Sequence, residues 1–440
     1  MERGKRSKAF CSSCRVNTRL SVTIIVVQAS PSSRPAYHFS DTFSALRHPN
    51  FRLWFFGQLF TTIGMWVQST AQGYLIYDIT QSAQFLGLVG FVNGLPSWAL
   101  TIFGGAIADR LPRRTLILIT TCISMTMTMV IAILVFTRTI QPWHILILAV
   151  IGGMVWAIDG PTRMAFISDL VEKEDLANAI ALNSTMFNTA TVIGPAVSGV
   201  VYALVGPGWC FALNGISYLS VLFVLLRMRL TPRPPRPRTG SIWREMGIGL
   251  RYTFSNDMIR TLTINLGLVS MFGFGMLTLL PPWSVKVLGG DVSTNGWLLS
   301  ARGVGSLIGA FIVAATSAMR IKGRLWSAGL LTLPLMIILF SFTRSLPLSM
   351  ITLVGLGWAL LTLGNTSNAL VQENTPDELR GRVMGVYMLT FQGFMPLGNL
   401  LAGVMAERLT EPITMLIGGV ILAVPALLIF FRKPHFRRLG

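Results

Sequence analysis

Apolar runs long enough to cross a bilayer recur twelve times between Leu53 and Phe431, separated by short polar or basic turns. A helix rises about 1.5 Å per residue and a hydrocarbon core is about 30 Å thick, so about twenty apolar residues span it with every backbone hydrogen bond made internally. The pattern predicts membrane helices at residues 53–77, 85–108, 115–136, 143–166, 178–205, 209–227, 261–281, 296–318, 325–343, 348–371, 383–406 and 412–431. Basic residues sort into alternate gaps. With the first span starting in the cytoplasm, Arg110, Arg113, Arg114, Arg163, Lys173, the Arg227 to Arg260 cluster, Arg320, Lys322, Arg324, Arg380, Arg382 and the Arg432 to Arg438 tail share one side. Only Arg138, Lys286, Arg344 and Arg408 fall on the other. Cationic loops resist translocation and favour the anionic cytoplasmic leaflet, so both termini are expected inside.

Composition agrees. With 52% hydrophobic and 12% charged residues and a mean hydropathy of +0.62, no soluble domain remains to be placed. The net charge of +19 raises nucleic-acid binding, but the cations sit where topology wants them and no basic patch alternates with aromatics for base stacking. Residues 1–49 form a basic tail whose only apolar run, Leu20 to Ala29, is too short to cross. It reads as a disordered extension in preference to a signal peptide, because the first span already enters from the cytoplasm. Cys11 and Cys14 form a lone C-x-x-C without a second pair or nearby His, so no metal site is expected, and Cys122 and Cys210 are expected to form no disulfide.

The chain divides in the middle. Arg229 to Thr239, RLTPRPPRPRT, is proline-rich and cannot be helical. Downstream, Ile242, Trp243, Met246, Leu250 and Phe254 can share one face of a helix lying on the membrane surface. The expected organisation is a bundle of six helices at 50–228, a cytoplasmic linker at 229–257, a second six-helix bundle at 258–431 and a basic tail at 432–440. The halves also resemble each other: EDLANAIALN (Glu174 to Asn183) precedes DELRGRVMGV (Asp377 to Val386) by about the separation that relates Gly194 to Gly199 with Pro396 to Gly403. A repeat of six spans in one orientation is the architecture of transporters that rock two bundles about a midplane site.

Two motifs carry a resemblance to a known family. Gly105-Ala106-Ile107-Ala108-Asp109-Arg110-Leu111-Pro112-Arg113-Arg114, between the second and third spans, is similar to the loop signature G-x-x-x-D-R-x-G-R-R of the major facilitator superfamily, with Pro112 in place of a glycine. Gly194-Pro195-Ala196-Val197-Ser198-Gly199 resembles the G-P-x-x-G-G element of its antiporter-type exporters, with Ser198 replacing a glycine. The resemblance extends over everything after about residue 45, and is greatest to exporters of the enterobactin and macrolide type. It implies an all-α membrane protein with twelve transmembrane helices in two six-helix bundles, the major facilitator fold.

Several polar residues stand out against this apolar background. Asp109 ends the second span, where the N-terminus of another helix offers unpaired N–H groups and a positive dipole end. By the resemblance that helix is the eleventh span, and the contact is a latch between the halves. Asp159 lies deep in the fourth span, where a carboxylate is costly unless paired or protonated. Direct proton carriage is one reading; pairing with Arg163 at i+4, or with Arg113 as the resemblance implies, is the other. Arg302 enters the eighth span and either meets substrate or a carboxylate or snorkels outward. In the first span Gln58, Thr61, Met65, Gln68 and Gln72 form one polar stripe, facing either a solvated cavity or neighbouring helices through hydrogen bonds. Asn365 and Asn368, and Gln392 and Asn399, extend weaker stripes in the tenth and eleventh spans.

No P-loop, H-E-x-x-H or G-x-S-x-G pattern is present, which excludes the commonest ATPase and hydrolase chemistries. No enzyme activity and no cofactor are expected. The chain reads as a monomeric multi-pass secondary transporter of a cell membrane, the bacterial inner membrane, exporting a small amphipathic molecule in exchange for protons. An importer and a non-transporting sensor of the same fold are the alternatives.

Overall fold

The structure, a computed structural model, describes residues 39–228, 242–316, 319 and 321–438, and side chains among them from 43 onward except those of 101–110, 242–243 and 438. Most of the basic tail with Cys11 and Cys14, the linker at 229–241, Trp243, Arg320 and the side chains of Asp109 and Arg110 in the loop motif, whose Gly105 lies in the same stretch, therefore fall outside the described set.

Among the described residues every regular element is helical. The first half contains α1 (Pro49–Thr80), α2 (Ala83–Arg110), α3 (Arg113–Phe136), α4 (Pro142–Leu170), α5 (Leu176–Val205) and α6 (Pro207–Arg227). After α7 (Ile242–Ser255) come α8 (Asp257–Val287), α9 (Val292–Ala315), α10 (Lys322–Ser341), α11 (Leu346–Glu373), α12 (Asp377–Arg408) and α13 (Glu411–Arg432). Pro49, Pro142, Pro207, Pro347 and Pro412 stand in first turns, where a missing N–H costs nothing and a fixed φ starts the helix. Gln81 adopts a left-handed conformation (φ 50°) and donates its N–H to the Tyr77 carbonyl at 2.7 Å, which turns the chain from α1 into α2.

Ten helices, α3 to α6 and α8 to α13, are long and apolar enough to cross a membrane. The helices α1 and α2 are 32 and 28 residues long; the polar stripe of α1 dilutes its hydropathy. Each expected span lies on one of these twelve helices, and the helices outrun the apolar segments at most ends, α4 to Leu170 and α12 to Arg408. The expectation of a plain helix at 261–281 needs correction. From Ser270 onward α8 passes through a π segment, a 3-10 segment (Gly275–Leu279) and a second π segment ending at Val287, with Pro281 and Pro282 between. Prolines remove the i→i−4 bond and shift the hydrogen-bond register.

Large apolar side chains face outward on many of the helices, among them Leu204, Leu226, Phe311, Ile351 and Phe431. Only a hydrocarbon solvent makes such a surface stable, and this is a multi-pass membrane protein. The first half buries Trp54 edge-on against Phe166 (5.0 Å between centroids) and the second stacks Trp283 on Phe340 (4.4 Å). Within the halves α1 packs on α5 and α6, α2 on α4, α9 and α10 on α11; between them α2 packs on α12 and α5 on α9. On α7, Gly249 and Thr253 are buried while Leu250 and Phe254 are half exposed. A Cβ at Gly249 would lie 2.6 Å from the Arg382 carbonyl oxygen, so α7 leans on α12 and keeps an apolar flank outward.

Candidate functional site

A polar hub lies inside the first half. Arg163 on α4 donates from Nε to Asp159 (2.5 Å), from Nη1 to Gln58 of α1 (2.7 Å) and from Nη2 to Thr121 of α3 (2.9 Å). Its guanidinium also sits 5.7 Å from the Trp54 ring centroid. Thr120 donates to the other Asp159 oxygen at 2.6 Å. The i+4 spacing brings acid and base together, and polar groups on α1 and α3 satisfy the remaining donors, as burial of both side chains requires.

Arg113 does not reach Asp159. It donates instead to both carboxylate oxygens of Asp169 (2.9 and 3.0 Å) and to the Ala165 carbonyl (3.0 Å). The pairing of a loop-motif arginine with a fourth-span acid is present, on an acid one helix end further along than the resemblance implied. Asp169 lies beyond the apolar stretch but within α4, whose last turn meets the first turn of α3. Arg114 donates to the Leu226 carbonyl (3.3 Å) at the C-terminal end of α6. Lys322 at the start of α10 pairs with Glu373 at the end of α11, the same place in the second half as Arg113 with Asp169 in the first. Just before α1, Ser44 donates to Asp175 (2.6 Å) and the His48 ring lies 2.8 Å from it. The Ser44 hydroxyl first, then His48, hold the Asp175 carboxyl below its ordinary value.

The halves meet along two seams of small residues. A Cβ at Gly87 of α2 would lie 2.4 Å from the Asn399 carbonyl oxygen, one at Gly90 2.7 Å from Asn399 Nδ2, and one at Gly94 2.1 Å from Pro396. In the second seam a Cβ at Gly296 of α9 would lie 2.7 Å from the Pro195 carbonyl oxygen and one at Gly303 2.5 Å from that of Thr191; Ser300 donates to the Val192 carbonyl (2.8 Å). Helices this close need residues without side chains at the crossing. Pro195 and Gly199 thus sit in a seam between halves, and Gly194 packs on α1 against Trp66. Pro396, Asn399 and Gly403, their counterparts in the repeat, sit in the other seam.

At the end away from the basic loops, Glu407 of α12 accepts from the Ser82 hydroxyl (3.2 Å) and from the backbone N–H groups of Ala83 (3.0 Å) and Gln84 (3.3 Å). This carboxylate from one half caps the N-terminus of α2 in the other, where unpaired N–H groups and the dipole favour an anion. Nearby, Lys286 pairs with Glu411 (3.0 Å) and lies 5.8 Å from the Tyr77 ring centroid across the divide.

The α1 stripe turns into its own half. Beyond Gln58, Thr61 donates to the Ser217 carbonyl of α6 (3.0 Å), and Gln68 accepts from Thr128 of α3 (2.9 Å) and Asn214 of α6 (2.5 Å). These three serve as interhelical bonds, while Met65 and Gln72 are half-buried. In the second half, Asn365 and Asn368 line a cavity of about 230 Å³ with Asn265, Phe274, Tyr387 and Phe391. Gln392, half-buried on α12, does not line it, and Asn399 belongs to the seam.

Arg302 does not snorkel. It is 9% exposed, its guanidinium lies 5.8 Å from the centroid of Trp66 on α1, and its Nε is fully enclosed without an acceptor. Trp66 in turn packs edge-on against Phe187 of α5 (5.8 Å), and its own Nε1 is enclosed without a partner. Asp169 and Glu407 were missed in the sequence because both lie just past the apolar stretch that marks their helices. The Trp66–Phe187–Arg302 meeting had no local signal, because its members come from three helices.

The model of the transmembrane secretion effector family matches residues 40–438, and the chain belongs to that family of major facilitator transporters. It is 27% identical to the staphyloferrin A transporter of Staphylococcus aureus over 78% of this chain and 86% of that one. It is 26% identical to the multidrug efflux pump Tap of Mycolicibacterium fortuitum (80% and 88%) and 24% identical to the enterobactin exporter EntS of Escherichia coli K12 (89% and 94%). Among solved structures, a bacterial homologue of the human lysosomal transporter Spinster, inward-facing and unoccupied, superposes with a TM-score of 0.71 at 16% identity, over 90% of this chain and 98% of that one. A POT family transporter in complex with 5-aminolevulinic acid gives 0.70 at 13% identity, over 88% and 96%. At such identities these two describe the fold alone. The chain is a transporter and not an enzyme.

Proposed function

We propose that this protein is a twelve-span, two-bundle secondary transporter with both termini in the cytoplasm, which exports a small amphipathic molecule in exchange for protons by alternating access. The observation that carries the reading is the placement of the Glu407 cap at the end of the molecule away from the basic loops, beside the far ends of both glycine seams. If the basic end is cytoplasmic, these contacts close the outer side, as a state that loads cargo from the cell requires. Asp109 at the other end of α2 is the matching latch in this reading, facing the first turn of α12 once the inner side closes. Glu407 and Asp109 then act in turn, each a carboxylate at a helix C-terminus capping the N-terminus of the antiparallel helix of the other half.

Export is supported by the names of the relatives, two of which are exporters or efflux pumps, and by the Gly194-Pro195 element lying where α5 crosses toward α9. The test is expression in a bacterial host stripped of its efflux pumps, screened against a compound panel with and without a proton uncoupler. Resistance to some members that the uncoupler abolishes is expected. Resistance that survives the uncoupler removes proton coupling, and no exported compound from the whole panel, with the protein present in the membrane, removes the reading. Asp109→Asn is expected to lower efflux without lowering expression; wild-type efflux in that variant removes the inner latch.

A further inference from the structure

We propose that Arg302, Trp66 and Phe187 form a binding site for the acidic group of an aromatic or conjugated organic acid, between the two halves. The inference rests on the transporter reading above and names the class of cargo.

Arg302 lies ten residues into α9, about 15 Å along its axis, and six residues into the apolar span that starts at 296. A guanidinium there is costly unless a counter-charge accompanies it. Among the described residues no carboxylate lies within ion-pair distance of it, and its enclosed Nε has no acceptor. This contrasts with Arg163 in the other half, whose every nitrogen has an acceptor. The two arginines have the same chemistry and different surroundings: one is paired with a carboxylate, and the other is enclosed beside Trp66 with an unpartnered Nε.

The unpartnered groups of Arg302 and Trp66 are donors. The Arg302 Nε and the Trp66 Nε1 are both enclosed without acceptors, and the guanidinium lies 5.8 Å from the centroid of the Trp66 ring across the two halves. Two turns earlier on the same face of α9, fully buried Asn295 has neither its amide oxygen nor its nitrogen paired. In a membrane interior each such orphan is costly, so a cluster of them is a place where an oxygen-bearing guest belongs. The donors ask for an acceptor, the guanidinium asks for a negative one, and its flat fork suits a carboxylate or a paired catecholate oxygen. The Trp66 and Phe187 rings, edge to face at 5.8 Å, supply the apolar wall that an aromatic body attached to that anion would cover. A cation gains nothing here, because the only charge present repels it.

The test uses the full chain purified in detergent, with naphthoate and naphthylmethylamine as probes of equal size and opposite charge, titrated in gluconate buffer and again in chloride. Wild-type protein is expected to bind naphthoate at least about tenfold more tightly than the amine. Arg302→Gln should abolish that preference, and Trp66→Phe, which keeps an aromatic side chain but removes Nε1–H together with the rest of the indole, should weaken naphthoate by at least about twofold. Because Trp66→Phe keeps an aromatic side chain and changes no charge, it keeps the test decisive if Arg302→Gln does not fold. Equal affinity for acid and amine, or an acid preference intact in both variants, overturns the proposal. So does a preference that chloride alone eliminates, which would give the position to an inorganic anion. If the uncoupler-sensitive efflux of the compound screen persists while acid preference is absent, the site assignment fails and the transporter reading stands.

Discussion

Replacing Glu407 with Gln keeps an acceptor oxygen at the N-terminus of α2 and removes its charge. In the described state that carboxylate accepts from Ser82, Ala83 and Gln84 across the divide between halves, so it stabilises only conformations in which this end is shut. A capping carboxylate at a helix N-terminus contributes about 0.5 to 2 kcal/mol, and because Glu407 is solvent-exposed the lower part of that range applies, about 1 kcal/mol. That corresponds to about a fivefold rise in the ratio of molecules open at this end to molecules shut at it. Spin labels at Thr139 and Arg408, both exposed at this end and on opposite halves, report the ratio by pulsed dipolar spectroscopy in nanodiscs. The long-distance population should grow about fivefold in Glu407→Gln and further in Glu407→Ala. Superimposable distance distributions for wild type and both variants would refute the cap as a conformational lock and reduce it to a solvated loop contact.

Gly87→Ala should push the same ratio in the same direction by about tenfold, since the new Cβ meets backbone at 2.4 Å and backbone cannot step aside; an unchanged ratio would show that the seam is looser than its geometry. Arg163→Met should lower thermal stability in detergent by about 3 kcal/mol, because it leaves Asp159 with only Thr120, and the Asp159→Asn/Arg163→Gln double variant should recover a large part of it; strictly additive losses would show that the pair is not coupled. Asp175 titrates below its ordinary carboxylate value when clasped by Ser44 and His48, so the clasp contributes above the unfolded value of 3.8 and is lost as pH falls through the lower folded value. Amide protection at residues 43–48, with exchange corrected for its intrinsic pH dependence, should accordingly be high at about pH 5 and fall as the pH drops below 3.8, a change that Asp175→Asn removes; pH-independent protection in wild type would contradict the clasp.

The helices were legible because a bilayer allows few alternatives: an apolar run of about twenty residues has to satisfy its backbone internally. Their ends were less so, since hydropathy stops where the lipid stops while the helix continues, and that is where Asp169 and Glu407 lie. Asp159 with Arg163 could be read from a spacing of four within one helix. The partner of Arg113 could not, because it depends on which turn of α4 meets the start of α3. The repeat marked Gly194 to Gly199 and Pro396 to Gly403 as equivalent, but not that they would press on Gly296 and Gly303 or on Gly87 and Gly90. Periodicity suggested that Gln58, Thr61 and Gln68 share a face, and left open whether that face met water or neighbours; acceptors and donors on α3, α4 and α6 decide it.

The first helix of each half is built differently, and this sets how the two helices respond to load. α1 runs uninterrupted for 32 residues and is pinned sideways through Gln58 to the Arg163 hub. Its counterpart α8 changes hydrogen-bond register repeatedly between Ser270 and Val287. A rod that has already given up its regular ladder flexes with little further loss. Of the two, α8 is therefore the helix that bends at the smaller cost, and α1 the one whose regular ladder and side contacts resist it.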